Sequence, residues 1–145
     1  MIRTLTILAA LSFTAPAFAD GHASGDADAG EKAFKKCKSC HMIETDAGET
    51  IVKGGKTGPN LYGLFGRQPG SVEGYRYGDD LVKAGETIEG GWTEAEFISY
   101  VADPKGWLND KLGGGAKSKM SFRLKKEEEA ADVWAFIVSH GPAPE

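Results

Sequence analysis

Five consecutive residues, Cys37-Lys38-Ser39-Cys40-His41, contain both cysteines of the chain and one of its three histidines. Two thiols at C-x-x-C spacing with an imidazole directly after them form the attachment signature of a c-type haem. The spacing has a chemical reason. Positions three apart on a helix share a face, so both thiols reach the two vinyl groups along one porphyrin edge. The imidazole that follows falls where it binds the iron. The motif occurs once, which predicts one haem. A C-x-x-C pair also serves as a redox dithiol, a structural disulfide or half of a zinc site. The chain has no further cysteine, which excludes a four-cysteine zinc site. A thioredoxin-like dithiol would need a surrounding βαβ pattern, and the chain has none.

The elements that must position these residues read as helical. Ala33, Phe34 and Cys37 recur at helical spacing with lysines on the other face, predicting a first helix over 29–40. Residues 43–58 are polar and glycine-rich, hence loop. Gly58-Pro59-Asn60-Leu61 turns into a short segment ending at Phe65, and the loop 66–77 carries Arg67, Tyr75 and Tyr77. A short helix is expected over 79–84. The next starts at Thr93 as its cap, with Glu96 completing a capping box and Trp92 and Phe97 forming a hydrophobic staple. It ends near Asp103, because Pro104 cannot continue it. A short turn then holds Trp107 and Leu108. Gly113-Gly114-Gly115 is loop, leading to Lys117-Ser118-Lys119-Met120-Ser121-Phe122. The last helix begins near Lys126. Glu127, Glu128 and Glu129 suit its N-terminal dipole, Val133, Trp134, Ile137 and Val138 give an apolar face, and Gly141-Pro142 stops it. No strand pattern is convincing, so the fold class is all-α with long loops.

The N-terminus reads as an export signal. Arg3 precedes an apolar run from Leu5 to Phe13, and Ala17-Phe18-Ala19 closes it as an A-x-A cleavage pattern. The run falls short of the ~20 residues that span a bilayer. The expected organisation is a cleaved signal at 1–19, a flexible leader of Gly, Ala, Ser and Asp at 20–28, and one domain at 29–145. Export to the periplasm fits the cofactor, since c-type haem is attached outside the cytoplasm in bacteria. No second apolar stretch could span a membrane, so the mature chain should not be membrane-embedded. Twenty glycines among 145 residues predict many turns, and a buried haem would add the apolar mass that the sequence lacks. The net charge of −4 argues against nucleic acid. Lysines nevertheless gather near the motifs, at 35, 36 and 38, at 53 and 56, at 117 and 119, and at 125 and 126. A basic face on an acidic protein steers docking.

With these residues in view, the chain resembles the class I cytochromes c, in particular the large cytochrome c2 and c-550 type of alphaproteobacteria. The likeness covers about 29–140. Its markers keep the family's order: Cys37-x-x-Cys40-His41, Gly58-Pro59-Asn60-Leu61, Gly66-Arg67, Gly74-Tyr75-x-Tyr77, Trp92, Tyr100, Asp103-Pro104-Lys105 and Lys119-Met120-x-Phe122. Each marker is weak alone, and the ordered set is very specific.

The resemblance implies the roles. One haem c would be attached through Cys37 and Cys40. His41 would be the proximal ligand, with the Pro59 carbonyl accepting its free N–H, and Met120 the distal one. Arg67, Tyr77 and Trp92 would hydrogen-bond a buried propionate, and Tyr100 would sit near the methionine sulfur. Gly30 and Phe34 would let the first helix cross the last closely, against Trp134, although Phe136 offers a second aromatic there. The loops 44–56 and 109–116 look longer than in the small mitochondrial-type members. Residue chemistry agrees on Met120. Met42 follows His41 and cannot swing to the opposite haem face, whereas Met120 lies on a glycine-rich loop between lysines. His22 or His140 as sixth ligand would instead give a bis-histidine site.

The implied function is that of a single-haem electron carrier, not an enzyme. It would shuttle one electron in the periplasm from a bc1-type complex to an oxidase, a reductase or a photosynthetic reaction centre. It would act as a monomer, docking transiently through the lysines around the haem edge. The alternative is a ligand-sensing or peroxidatic haem protein with a displaceable sixth ligand.

Overall fold

Two helices from opposite ends of the chain cross where one of them has no side chain. A computed structural model describes residues 23–142; the expected signal at 1–19 and His22 lie outside them. In chain order the elements are α1 (Ala27–Phe34), β1 (Ile43–Glu44), β2 (Thr50–Val52), α2 (Asp79–Gly85), α3 (Glu94–Ala102), α4 (Pro104–Leu112) and α5 (Glu127–Ser139). Helix α1 is too short to be stable alone, so its packing against α5 must hold it. A methyl group on Gly30 would overlap the Asp132 carbonyl and lie 2.8 Å from the Phe136 Cβ. One turn on, Phe34 meets Phe136 at 5.4 Å between ring centroids. Phe136, not Trp134, is therefore the aromatic at this crossing. Trp134 is fully buried and faces Phe97 of α3 at 5.3 Å.

Helix α1 begins earlier than its apolar spacing predicts because Asp26 caps it, accepting from the Ala29 N–H at 2.7 Å. Ser24 donates to Glu94 through its N–H and its hydroxyl, and the Asp26 N–H donates to Asp132 at 2.8 Å. The end of the expected leader is thus tied to α3 and α5. At the other end, α1 gives way at Phe34 to tight turns closed by Lys36 N–H to Ala33 and Cys37 N–H to Phe34. The helix expected to Cys40 therefore stops early, although its turns continue as far as the motif.

Two corrections concern elements the sequence reading left irregular. A small antiparallel pair, β1 with β2, stands where loop was expected, with Ile43 opposite Val52 and a bulge after Ile43. It is only a few residues long, too short to show alternation. Its turn is closed by Thr45 and Gly48, the glycine at φ +83°. The second is α4. Pro104 ends α3 as expected, but it also starts α4, with Asp103 accepting from the Gly106 N–H at 3.1 Å. Asp followed by Pro is a cap and first-turn pair, and it turns the expected short turn around Trp107 and Leu108 into a full helix.

Thr93 caps α3 as expected, accepting from the Glu96 N–H at 3.3 Å. The reciprocal half of the capping box is missing, because the Glu96 carboxylate bonds Trp107 and Lys111 instead. The core gathers Phe34, Ile43, Leu61, Leu64, Ala84, Trp92, Phe97, Leu108, Val133, Trp134 and Ile137 from all five helices, β1 and the loops after β2 and α2. The described residues form the expected all-α fold of short helices and long loops, with one two-stranded exception. No described helix is long and apolar enough to cross a membrane.

Candidate functional site

The residues that the sequence singles out come from seven separate stretches and meet on one cavity. Cys37, Cys40, His41, Pro59, Arg67, Tyr77, Trp92, Tyr100 and Met120 all line a space of about 770 Å³, within the size range of small-molecule and cofactor sites. Leu61, Leu64, Leu81, Phe97, Leu108, Val133 and Ile137 supply its apolar walls.

One side is built around His41. The tight turns bring its N–H to the Cys37 carbonyl at 3.0 Å. Its Nδ1 lies 2.8 Å from the Pro59 carbonyl. A carbonyl only accepts, so Nδ1 carries the proton and Nε2 keeps its lone pair. Burial pushes the imidazole pKa below its ordinary value, with the Pro59 bond opposing, so the ring is neutral at neutral pH and suited to a metal. Each residue of Gly58-Pro59-Asn60-Leu61 has a task here. A methyl on Gly58 would sit 2.6 Å from the His41 Nδ1 and 2.8 Å from its Nε2. Pro59 holds the ring. The Asn60 side chain bridges both backbone groups of Glu44 and the Tyr62 N–H. The Leu61 N–H donates to Met42 at 3.0 Å. Gly58→Ala should displace the imidazole and break its bond to Pro59. We expect a loss of about 1–3 kcal/mol, read as a lower guanidinium midpoint.

The two thiols differ. Burial, reinforced by Glu129, pushes Cys37 up to about 11. Cys40 is exposed, and hydrogen bonds from Thr57 and Ser39 lower its pKa.

Met120, also on the cavity wall, rides on a strap tied at several points. The Ala116 N–H donates to the Asn109 side chain at 2.9 Å, the Lys117 N–H to Asp80 at 2.7 Å, and the Ser118 hydroxyl to the Met120 carbonyl at 2.8 Å. The Leu124 N–H closes it onto the Val101 carbonyl at 2.7 Å. Tyr100, pushed up to about 12 by burial, hydrogen-bonds Ser118. Sequence reasoning placed Tyr100 near the methionine sulfur but missed that its hydroxyl is engaged by Ser118.

The polar corner belongs to Arg67. Its guanidinium donates to the Tyr62 carbonyl at 2.7 Å and to the Asn60 carbonyl at 3.0 Å, leaving further N–H groups free. No carboxylate pairs with it among the described residues. Burial lowers its pKa, and proximity to Tyr77 and Asp46 opposes this. Trp92 lines the same cavity. An apolar space with a lone-pair nitrogen and a thioether on its walls, two thiols at its edge and a half-buried guanidinium without a carboxylate partner fits a flat apolar macrocycle that carries carboxylates. Haem passes that test.

Lys36, Lys56, Lys117 and Lys119 surround the opening. Lys36 also pairs with Glu129, and Lys119 donates to the Arg76 carbonyl at 2.7 Å. Phe122, 40% exposed, stands among them. His140 instead lies against Phe136 at 4.8 Å and is absent from the cavity walls.

The chain is similar to known proteins over most of its length. The family model for cytochrome c matches residues 27–141. The chain is 53% identical over 143 residues to the cytochrome c-550 of Paracoccus versutus, covering 97% of this chain and 90% of that one. It is 52% identical over 141 residues to the cytochrome c-551 of Roseobacter denitrificans, covering 96% of each. The crystal structure of cytochrome c2 from Rhodobacter sphaeroides superposes with a TM-score of 0.78 at 42% identity, over 83% of this chain and 99% of that one.

Proposed function

The chain belongs to the class I cytochromes c, and from that premise we propose how it works as a single-haem electron carrier: Cys37 and Cys40 would hold the haem c, and His41 and Met120 would bind its iron. The observation that carries this reading is that a carbonyl-oriented imidazole and a methionine on a tied strap both line one cavity. When bound, the haem supplies a reversible one-electron couple. The chain's residues set how it behaves. The Pro59 carbonyl fixes the orientation of His41 and raises its basicity. The soft Met120 thioether favours the ferrous state and a high potential. Apolar walls disfavour the additional positive charge of the ferric state. Arg67, with Tyr77 and Trp92, takes the propionate. With His41 and Met120 both bound to the iron, no position would be left for a small ligand, which favours electron transfer over substrate turnover.

The test is the visible spectrum of the purified protein. A far-red sulfur-to-iron band in the ferric form is expected; haem without that band would remove Met120 from the site.

The reading places the carrier in the periplasm, supported by the signal pattern from Arg3 to Ala19; a mature N-terminus at Asp20 would establish cleavage. Its partners are membrane redox complexes with acidic surfaces, a bc1-type donor and an oxidase, reductase or reaction centre as acceptor. Exposed lysines around the opening steer the encounter. The second-order rate with such a partner is expected to fall about tenfold or more between roughly 10 mM and 300 mM salt, as the Debye length shrinks. A flat salt profile in stopped flow would rule out the lysine face.

A further inference from the structure

Glu96 sits where a glutamate ordinarily folds back onto the N–H of its own helix cap. It turns the other way. One carboxylate oxygen accepts from the Trp107 indole N–H at 2.7 Å and the other pairs with Lys111 at 2.6 Å. The Glu96 side chain is 25% exposed, and Lys111 also lies 5.4 Å above the Trp107 ring. Trp107 is buried. It stacks on Trp92 at 5.5 Å and meets Tyr100 edge-on at 5.2 Å. Trp92 and Tyr100 are cavity walls; Trp107 and Glu96 are not.

From Tyr100 the contact runs on to Met120. The single proton of the Ser118 hydroxyl is committed to the Met120 carbonyl, so the Tyr100 phenol supplies the proton of the bond they share. Helix α4, which carries Trp107 and Lys111, reaches the strap a second way, through Asn109 and the Ala116 N–H. Whatever fixes α4 against α3 therefore fixes the strap at its start and at the Met120 backbone.

We infer that Glu96 is a positioning residue for the Met120 sulfur, acting from outside the cavity by locking Trp107 and α4 in place. The inference rests on the reading of Met120 as an axial ligand. A carboxylate shared by an indole N–H and an ammonium is a charge-assisted tie. Truncating it leaves both donors without a partner in a half-buried place. The strap then opens more often, and an external imidazole finds the coordination position that the sulfur leaves.

The test is an imidazole titration of the ferric protein, followed by loss of the far-red band, beside guanidinium unfolding followed by far-ultraviolet dichroism. Glu96→Ala should raise the apparent imidazole affinity roughly tenfold. Glu96→Gln keeps an acceptor for the indole and should recover most of the wild-type value. Trp107→Phe keeps a ring but loses the N–H and should resemble Glu96→Ala. The double variant should add little to either, as expected of one coupled unit. Phe136→Leu, at the α1–α5 crossing, should lower the unfolding midpoint and leave imidazole affinity alone. Wild-type affinity in Glu96→Ala, or an equal rise in Phe136→Leu, would overturn the inference while leaving Met120 ligation intact. A wild-type protein without the far-red band would instead bring down the ligand reading, and this inference with it.

Discussion

Met120→Ala is expected to abolish the far-red band, to lower the reduction potential by on the order of a few hundred millivolts, and to let the ferrous protein bind carbon monoxide without delay. The size follows from the number of effects lost together. The variant removes the soft ligand that favours ferrous iron, and it opens the cavity on the side closed by the strap. The strap itself should stay folded, because its ties run through the Lys117 N–H, the Ser118 hydroxyl and the Leu124 N–H rather than through the methionine side chain. Carbon monoxide binding thus separates two views of the protein. If the wild type already binds it at once, the sixth position is displaceable and the sensing or peroxidatic alternative gains. If only the variant binds it, the carrier reading stands. Redox titration and carbon monoxide difference spectra give both answers from one preparation.

The largest loss of stability should come from Gly30→Ala. The added methyl would lie inside the Asp132 carbonyl and 2.8 Å from the Phe136 Cβ. Backbone is what it meets, so no side chain can rotate away, and α1 must lift off α5. A lone alanine would normally favour a helix by about 1 kcal/mol over glycine, so the expected sign is opposite to propensity. We expect a cost of about 3 kcal/mol or more, a large share of a typical domain's stability. Guanidinium denaturation followed at 222 nm measures it. An unchanged midpoint would mean that the two helices do not cross at this glycine in solution.

Much of the site could be read in the sequence because its chemistry is written in contiguous motifs. Cys37 to His41 and Gly58 to Leu61 each bring several functional atoms within a few residues. Their meeting on one cavity is a tertiary fact, and only the ordered resemblance anticipated it. What escaped were contacts that reverse a local rule. Glu96 matches a capping box by spacing, yet a buried indole N–H and an ammonium outcompete the cap for its carboxylate. Asp103-Pro104 reads as a helix stop and is also a helix start. The β1–β2 pair is shorter than any alternation that a pattern could show. Gly58 looked like turn chemistry, whereas its use is to leave room for an imidazole. The choice between Trp134 and Phe136 was undecidable from periodicity, since both fall on buried faces of α5, one toward α3 and one toward α1.

The pairing of α1 with α5 also orders events in time. Asp26 bonds Asp132 across 106 residues of sequence, and Lys36 meets Glu129 across 93. The first helix therefore has no partner until the last one has been made and delivered. Contacts of such long range carry the cost of closing the intervening loop and cannot form before the C-terminal helix is present. In a polypeptide threaded through a membrane from its N-terminus, the C-x-x-C-H segment would emerge long before the helix that completes its surroundings. It would stay extended and reachable by the machinery that joins haem to the thiols, and the arrival of the C-terminus would then close the fold over a cofactor already in place.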